Sequence, residues 1–184
     1  MNAFQELAID HDFRGQPLPE SHRSLVRLAR SGDELCIEVA APFFADPAPH
    51  APVGPVDRLW EHEVCEVFIA DAAENYLEVE LSPHGHHLVL ELQGVRRVVR
   101  SQLPIRYVAR IERAADTTAY ARFYGEARVP WSYLPAQPLR VNAYAIHGPP
   151  EQRCYHAHSA PGGDVADFHK LGSFVPFQLA CCAG

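Results

Sequence analysis

The sequence predicts an all-β protein, an antiparallel β-sandwich, from three observations. Short apolar runs recur along the chain, and turns rich in proline and glycine separate them. Several of these runs alternate apolar and polar residues with period two, as a strand with one buried face does. No segment of more than about ten residues keeps the i, i+3, i+4 apolar pattern of an amphipathic helix, so helices are expected to be scarce.

The elements follow from this pattern in chain order. Strands over 23–29 and 34–41 are joined by Arg30-Ser31-Gly32-Asp33, which has the composition of a hairpin turn. The loop from Pro42 to Pro55 is too rich in proline for regular structure and is long enough to form the rim of a binding site. One helical turn is expected at 131–134, after Pro130. Further strands are predicted at 63–70, 76–82, 86–93, 105–112, 119–129 and 139–147.

Length and composition limit the classes of protein to consider. A chain of 184 residues is long enough for one domain with a real core, and two domains would be cramped. We expect a single domain over 1–184, with its core at about 9–177 and a short C-terminal tail. The net charge of −7 and the presence of a single lysine, Lys170, argue against nucleic acid as a partner.

The compartment is predicted from the N-terminus and the cysteines. Residues 1–7 have neither a basic nor a long apolar region, and no apolar run reaches membrane-spanning length. The five cysteines are an odd number without framework spacing, as is typical of a reducing compartment. Cys36 and Cys65 lie in strand-like runs and are expected to be buried thiols, whereas Cys181 and Cys182 lie in the tail. We therefore expect a cytoplasmic protein that does not bind membranes, and the sequence does not indicate an oligomeric state.

The segment Tyr76 to Gly85 carries the clearest functional signal. Leu77, Val79 and Leu81 alternate with Glu78 and Glu80, so the apolar residues face a core and the two carboxylates share the other face. Because carboxylates on one face repel each other, solvent, basic neighbours, a metal ion or a hydroxyl-rich ligand must offset the repulsion.

The order of motifs along the chain resembles a family of uncharacterised cytosolic single-domain proteins of bacteria and animals. That family belongs to the DOMON-like superfamily, close to the family-9 carbohydrate-binding modules. The segments that carry the resemblance are 41–44, 59–68, 76–85, 129–134, 142–148, 153–155 and 167–169.

The resemblance implies a sandwich of two antiparallel sheets, one of them concave. In related modules the concave sheet or its rim holds a sugar or a haem, and some contain structural calcium elsewhere. Haem requires axial ligands such as histidine or methionine. Met1 is the only methionine, so a His/Met pair is nearly excluded, and a bis-His site stays open without positive support.

Carboxylate, amide and guanidinium groups on one sheet face suit the hydroxyls of a sugar, because each hydroxyl both donates and accepts. If strands 63–70 and 76–82 pair as a hairpin, Glu66 shares a face with the two glutamates of the second strand. A purely structural polar network is the competing interpretation. The candidate ligand-binding residues are Trp60, Glu66, Glu78, Glu80, His84, Asn142, Arg153, Asp167 and His169.

Trp60 and His84 are placed at the border of this site, and Asp167 and His169 in a wall or lid. A tryptophan offers the flat apolar surface on which the C–H face of a sugar ring packs. Trp131 can be a second platform or a core residue.

The histidines lack the pattern of a metal site. The spacings His84-x-His86 and His156-x-His158 place pairs on one side of an extended segment, but no HExxH helix or CxxC knuckle occurs. We therefore name no metal ligands and expect no cofactor. Calcium or another divalent ion held by Glu78, Glu80 or aspartates stays open.

We thus predict a module that binds a carbohydrate or another small polyhydroxylated ligand on an acidic concave face. Two alternatives stay open. A small hydrolase or lyase could act on a glycoside through the same carboxylates, although no catalytic residue can be assigned and a binding role is preferred. The polar face could instead dock a protein partner.

Overall fold

A computed structural model describes residues 4–113 and 121–179. These residues form thirteen strands and five single turns of 3-10 helix, and they contain no α-helix. The turns are Glu20–His22, Leu59–Glu61, Trp131–Tyr133, Pro150–Gln152 and Leu171–Ser173. The strands are β1 (Gln5–Ile9), β2 (His11–Asp12), β3 (Ser24–Ser31), β4 (Glu34–Pro42), β5 (Val64–Ala70), β6 (Asn75–Leu81), β7 (His87–Gln93), β8 (Val98–Arg100), β9 (Arg106–Glu112), β10 (Arg122–Pro130), β11 (Arg140–His147), β12 (Cys154–Ala157) and β13 (Val175–Pro176).

The strands form two antiparallel sheets, which confirms the predicted fold class. The first sheet has five strands in the order β1-β3-β4-β10-β9. The second has eight strands, seven of them in the order β2-β12-β11-β5-β6-β7-β8, with β13 beside β11. Across the described part of the chain, no helix is long and apolar enough to span a bilayer.

Apolar side chains of the two sheets share one core. Val26 and Ile37 of the first sheet and Leu77, Val79 and Leu81 of β6 are fully buried members of the same cluster. Full burial of an aliphatic side chain contributes about 1.5–3 kcal/mol. The predicted inward face of the acidic strand is therefore confirmed, and its glutamates point to the opposite side of the sheet.

A second apolar cluster covers this opposite side of the second sheet. Phe68, Tyr76 and Tyr144 are buried there beneath Phe168 and Phe174, which come from the segment after β12. The centre of the second sheet is thus buried on both faces, and every residue of β5 is buried, whereas the edge strand β8 is exposed. We call residues 158–174, which carry Phe168 and Phe174, the covering segment.

Most predicted elements are confirmed to within two residues. The hairpin turn lies between β3 and β4, where Ser31 pairs with Glu34, and the helical turn is Trp131–Tyr133. Cys36 and Cys65 are buried free thiols. The sequence missed β1, β2, β8, β12 and β13, which have at most five residues each, because such short strands show too little of a period-two pattern.

Three predictions are not tested by the structure. Residues 119 and 120 of the predicted strand 119–129 lie outside the described residues, as do Cys181 and Cys182. The single-domain organisation stays a prediction.

Gly125 of β10 lies against the ring of Tyr107. A Cβ added at Gly125 would be 2.8 Å from the Tyr107 hydroxyl oxygen, which donates a 2.7 Å hydrogen bond to the Ser82 carbonyl at the end of β6 in the other sheet. Gly125→Ala is therefore expected to lower the free energy of unfolding by about 1–3 kcal/mol, because the ring must move and the bond between the sheets weakens. Urea denaturation measures this loss.

The matched test makes the same substitution in a Tyr107→Phe background, which removes the atom nearest to the added Cβ. The loss caused by Gly125→Ala should be smaller there. An equal loss in both backgrounds would rule out the hydroxyl contact as its cause.

Candidate functional site

The hairpin of β5 and β6 fixes the register of the acidic residues. Asp71 closes its turn, since Oδ1 accepts hydrogen bonds from the backbone N–H groups of Ala73 and Asn75, at 2.8 and 2.9 Å. Aspartate is favoured in turns for this ability to bond to the backbone. In the resulting register Glu66 lies directly opposite Glu80.

Glu66, Glu78 and Glu80 form what we call the acidic cluster. One carboxylate oxygen from each lies within 4.8 Å of the other two, and the residues are only 2%, 4% and 0% exposed. Like charges directly opposite each other on paired strands are destabilising. The structure thus brings together the three glutamates named from the sequence, and it buries them.

Burial raises the pKa of every carboxyl group in the cluster. The pKa of Glu78 rises to about 7, with the nearby Arg96 guanidinium opposing the rise. The pKa values of Glu66 and Glu80 are raised well above their usual range by burial and then by neighbouring glutamates, and Arg153 opposes the rise at Glu66. Near neutral pH the cluster therefore retains protons, and its carboxyl groups can both donate and accept hydrogen bonds.

A pocket of about 300 Å³ opens beside the cluster on the outer face of the second sheet. Glu66 and Glu78 line it, together with Trp60, Tyr155 and Phe168. Trp60 is 38% exposed, so its ring is available at the rim. We call this cavity the glutamate pocket. Its volume is at the lower end of the range for small-molecule sites.

A polar network forms another part of the lining. Arg96 donates from its guanidinium to Asp167 Oδ1 at 2.8 Å and from its backbone N–H to the Tyr76 hydroxyl at 2.9 Å. Asp167 Oδ1 also accepts from the His169 backbone N–H at 3.1 Å. Burial raises the pKa of Asp167, but the bonds from His169 and Arg96 outweigh burial and the net shift is downward. Asp167 is thus an ionised carboxylate in the pocket.

His169 is held as a neutral donor. The Tyr76 hydroxyl accepts from the Arg96 backbone N–H, so we assign its proton to the 2.7 Å bond with His169 Nδ1. Nε2 then carries the ring proton. Burial and the Arg96 charge lower the pKa of His169 to about 4, so the ring is neutral at physiological pH.

Arg153 fixes the position of Trp60 through the backbone of the Trp60 turn. Its guanidinium donates to the carbonyls of Trp60 and His62, at 2.8 and 2.7 Å, and to the Gly148 carbonyl at 2.6 Å. It also forms a 3.4 Å salt bridge with Asp46. Arg153 therefore positions the rim and places a positive charge near Glu66, although it is not part of the pocket lining.

Two further residues named from the sequence lie apart from the pocket lining. His84 Nε2 contacts the Asp46 carbonyl at 3.2 Å, in the loop before the Trp60 turn. Asn142 is fully buried, and its side-chain amide donates to the Tyr144 hydroxyl and to the Ser159 carbonyl, both at 2.8 Å. The structure therefore brings five of the nine named residues to the pocket lining: Trp60, Glu66, Glu78, Asp167 and His169.

The structure adds lining residues that sequence reasoning did not single out. Tyr155 and Phe168 occur in motifs that carry the family resemblance, so their place in the pattern was the available signal. Arg96 lies in the turn between β7 and β8 with φ of 61°. Nothing in Gly94-Val95-Arg96-Arg97 distinguishes it from a solvated turn residue.

Three of the four histidines in the pairs noted from the sequence contact backbone carbonyls. His86 Nε2 contacts the Ala51 carbonyl at 3.0 Å, and His158 Nδ1 contacts the Ala8 carbonyl at 2.9 Å. Each of these histidines, like His84, ties a loop or turn to another part of the chain.

The fold and the pocket define the class of protein, a β-sandwich with a polar, aromatic-lined cavity on the outer face of one sheet. No protein-family model matches the chain. The UPF0462 protein C4orf33 of Homo sapiens is 37% identical over 191 residues, an alignment that covers 97% of this chain and 90% of that protein. Its homolog in Danio rerio is 40% identical over 177 residues, covering 91% and 86% of the two chains.

The chain belongs to the UPF0462 family. The resemblance to an uncharacterised family is thus confirmed, whereas the place of that family in the DOMON-like superfamily stays a prediction.

A solved structure shares the fold. A crystal structure of a "putative carbohydrate-binding protein" from Bacteroides uniformis aligns with a TM-score of 0.67 at 16% identity, covering 95% of this chain and 85% of that one. A family 9 carbohydrate-binding module from Caldicellulosiruptor kristjanssonii in complex with glucose aligns with a TM-score of 0.47 at 8% identity, covering 81% and 73%. At such identities the first of these similarities supports the architecture alone.

Proposed function

We propose that this protein binds a saccharide or another small polyhydroxylated molecule in the glutamate pocket. The observation that carries the proposal is the combination of two buried carboxyl groups, Glu66 and Glu78, with an exposed tryptophan at the rim of one cavity. Hydroxyls need partners that both donate and accept, and a sugar ring needs an apolar surface for its C–H face. The name of the Bacteroides uniformis neighbour agrees with this class of ligand.

The remaining lining groups fit such a ligand. Neutral His169 offers a ring N–H, ionised Asp167 offers acceptors, and Glu78, with its pKa near 7, can serve as donor or acceptor. A pocket of about 300 Å³ favours one or two sugar rings over a long chain lying across an open sheet.

The test is calorimetric titration of the purified protein with a panel of monosaccharides, disaccharides and sugar phosphates. Trp60→Ala is expected to weaken the binding of the responding sugar by about tenfold or more, since stacking and burial of a ring face together contribute more than about 1.4 kcal/mol. Because Trp60 is 38% exposed, the melting temperature of the Trp60→Ala variant should differ little from that of the wild type.

Tyr124→Ala, an aromatic truncation in β10 of the other sheet, is the matched control and should bind as the wild type does. Unchanged affinity in Trp60→Ala, or no heat with any sugar, would contradict the proposal.

Catalysis on a glycoside is the second candidate, and the same carboxyl groups bear on it. An inverting mechanism places its two carboxyl groups about 6.5–9.5 Å apart, with a water between them. One carboxylate oxygen of Glu66 lies within 4.8 Å of one of Glu78. This spacing leaves little room for that water, but it is close to the separation of about 5–5.5 Å in a retaining mechanism. The same protein is also assayed for turnover of aryl glycosides. Turnover that disappears in Glu78→Gln would mean that the protein is a hydrolase and not only a binding module.

A further inference from the structure

The acidic cluster contains carboxylate oxygens that the protein itself does not satisfy. Oε2 of Glu78 and both carboxylate oxygens of Glu80 are buried without a hydrogen-bond partner of good geometry. The groups that act on Glu80 are the other two carboxyl groups and the Trp60 backbone. Within residues 4–113 and 121–179, no salt bridge joins Glu66, Glu78 or Glu80 to a basic side chain. Buried polar atoms without partners are rare in folded proteins and call for an unseen proton, water or ion. Glu80, fully buried and close to both other carboxylates, is the strongest case.

Charge balance narrows the choice of ligand. When ionised, the cluster carries three negative charges. The two nearby guanidinium groups, those of Arg153 and Arg96, are each already paired with an aspartate, Asp46 and Asp167. Because both Arg–Asp pairs are neutral, a divalent ion is needed to lower the charge of the cluster from −3 to −1. An arginine already bonded to three carbonyls cannot swing over to replace that ion.

Ligand type and spacing indicate the ion. Carboxylate oxygens are the ligands of hard cations such as Ca²⁺, Mg²⁺ and Mn²⁺. Two oxygens on opposite sides of one Ca²⁺ are about 4.6–5.2 Å apart, whereas Mg²⁺ holds them within about 4.2 Å. One carboxylate oxygen from each glutamate lies within 4.8 Å of the other two, so a single Ca²⁺ can contact all three with little movement of the strands.

We propose that Glu66, Glu78 and Glu80 bind one Ca²⁺ ion, with Glu80 as the innermost ligand. Because Glu66 and Glu78 also line the glutamate pocket, the ion enters from that side and completes its shell with water. Ca²⁺ can bind here without any organic ligand. Once it is bound, Glu66 and Glu78 are ionised and offer a sugar only acceptors.

The experiment uses the full chain, dialysed against a chelator, and titrates Ca²⁺ without any sugar while the melting temperature and the heat of binding are followed. We expect the wild-type melting temperature to rise with Ca²⁺ and the affinity to fall at least tenfold in Glu80→Gln. Glu126→Gln is the matched control on the first sheet, paired with Arg128, and should bind Ca²⁺ as the wild type does. Mn²⁺ serves as a paramagnetic probe, whose broadening of NMR signals should centre on β5 and β6.

Two results would overturn the inference. One is a flat melting temperature up to about 10 mM Ca²⁺, which exceeds the dissociation constants of the weakest known protein modules. The other is Ca²⁺ binding that persists unchanged in both Glu80→Gln and Glu66→Gln, which would place the ion elsewhere. Sugar binding that persists in chelator would leave the proposed function standing after such a failure, and Ca²⁺ binding without any sugar response would leave the ion site standing alone.

Discussion

Replacing Asn142 by alanine is expected to lower the free energy of unfolding by about 3–5 kcal/mol, because buried polar groups lose their hydrogen-bond partner and a void remains. Asn142 is 0% exposed. Its Oδ1 accepts from the backbone N–H groups of Ala143 and Ser159, at 2.9 and 3.0 Å, while its Nδ2 donates to the Ser159 carbonyl at 2.8 Å. The side-chain amide thus pairs with both polar groups of Ser159, just past the end of β12.

This pairing anchors the covering segment 158–174 to the second sheet. The segment carries Asp167, Phe168 and His169 of the pocket lining. Loosening its start should therefore weaken ligand binding as well as stability, even though Asn142 itself does not line the pocket. Urea denaturation gives the stability loss, and amide hydrogen exchange should show faster opening of 158–174 than of the first sheet.

Asn75→Ala is the matched control. Asn75 also bonds through its side-chain amide, at 2.8 Å to Asp71 Oδ2, but it lies at a partly exposed hairpin turn. Its loss should cost no more than about 1 kcal/mol. A similar small loss for Asn142→Ala would mean that its hydrogen bonds do not hold the segment.

Sequence reasoning reached the acidic cluster because period-two alternation determines which side chains share a face. Leu77 and Val79 set the inward face of β6, so Glu78 and Glu80 had to share the other, and a short hairpin had to bring Glu66 to the same side. The burial of that face could not be foreseen. It depends on residues 158–174 folding over the sheet, and the contact between Phe168 and Tyr144 joins residues far apart in the chain.

The same dependence on tertiary contacts explains why Asn142 and Arg153 were predicted to bind a ligand. Both are polar residues near the second sheet, and the sequence suggests a ligand role for either. Whether a buried amide or guanidinium bonds to a ligand or to backbone carbonyls depends on which loops lie above it. In the structure Arg153 bonds to three carbonyls from two loops, and these tertiary contacts leave no local pattern in the sequence.

In the presence of a chelator, the free energy of unfolding is expected to fall steadily from about pH 6.5 to pH 8.5. The reason is that the folded cluster binds protons that the unfolded chain has released. Burial raises the pKa of Glu78 from 4.5 to about 7, and it raises those of Glu66 and Glu80 well above 4.5. Burial also raises the pKa of Glu63, outside the cluster, to about 7, so Glu63 contributes to the same fall. A raised folded-state pKa gives stability that is complete below the unfolded value and is lost as the pH rises through the folded value.

Below about pH 6.5 the histidines oppose this trend. Burial lowers the pKa values of His147, His156 and His169 from 6.5 to about 4. Their contribution therefore grows with pH between about 4 and 6.5 and is then constant. The two trends partly cancel in that window. Above it the carboxyl groups with raised pKa values dominate the profile, and the buried thiols of Cys36 and Cys65 add to the fall near pH 8.5. The Tyr76 hydroxyl and the Cys65 thiol have pKa values raised by burial and stay protonated.

The slope above pH 6.5 should be about 1.4 kcal/mol per pH unit for each proton that the folded cluster retains. Glu80→Gln removes one such proton and one buried charge, so the variant should show a shallower slope and, at pH 8, a higher free energy of unfolding than the wild type. Urea denaturation between pH 6.5 and pH 8.5 measures both. A flat wild-type profile would show that the cluster is already ionised at pH 6.5, in which case Arg153 and Arg96 hold the three carboxylates in their charged form despite burial.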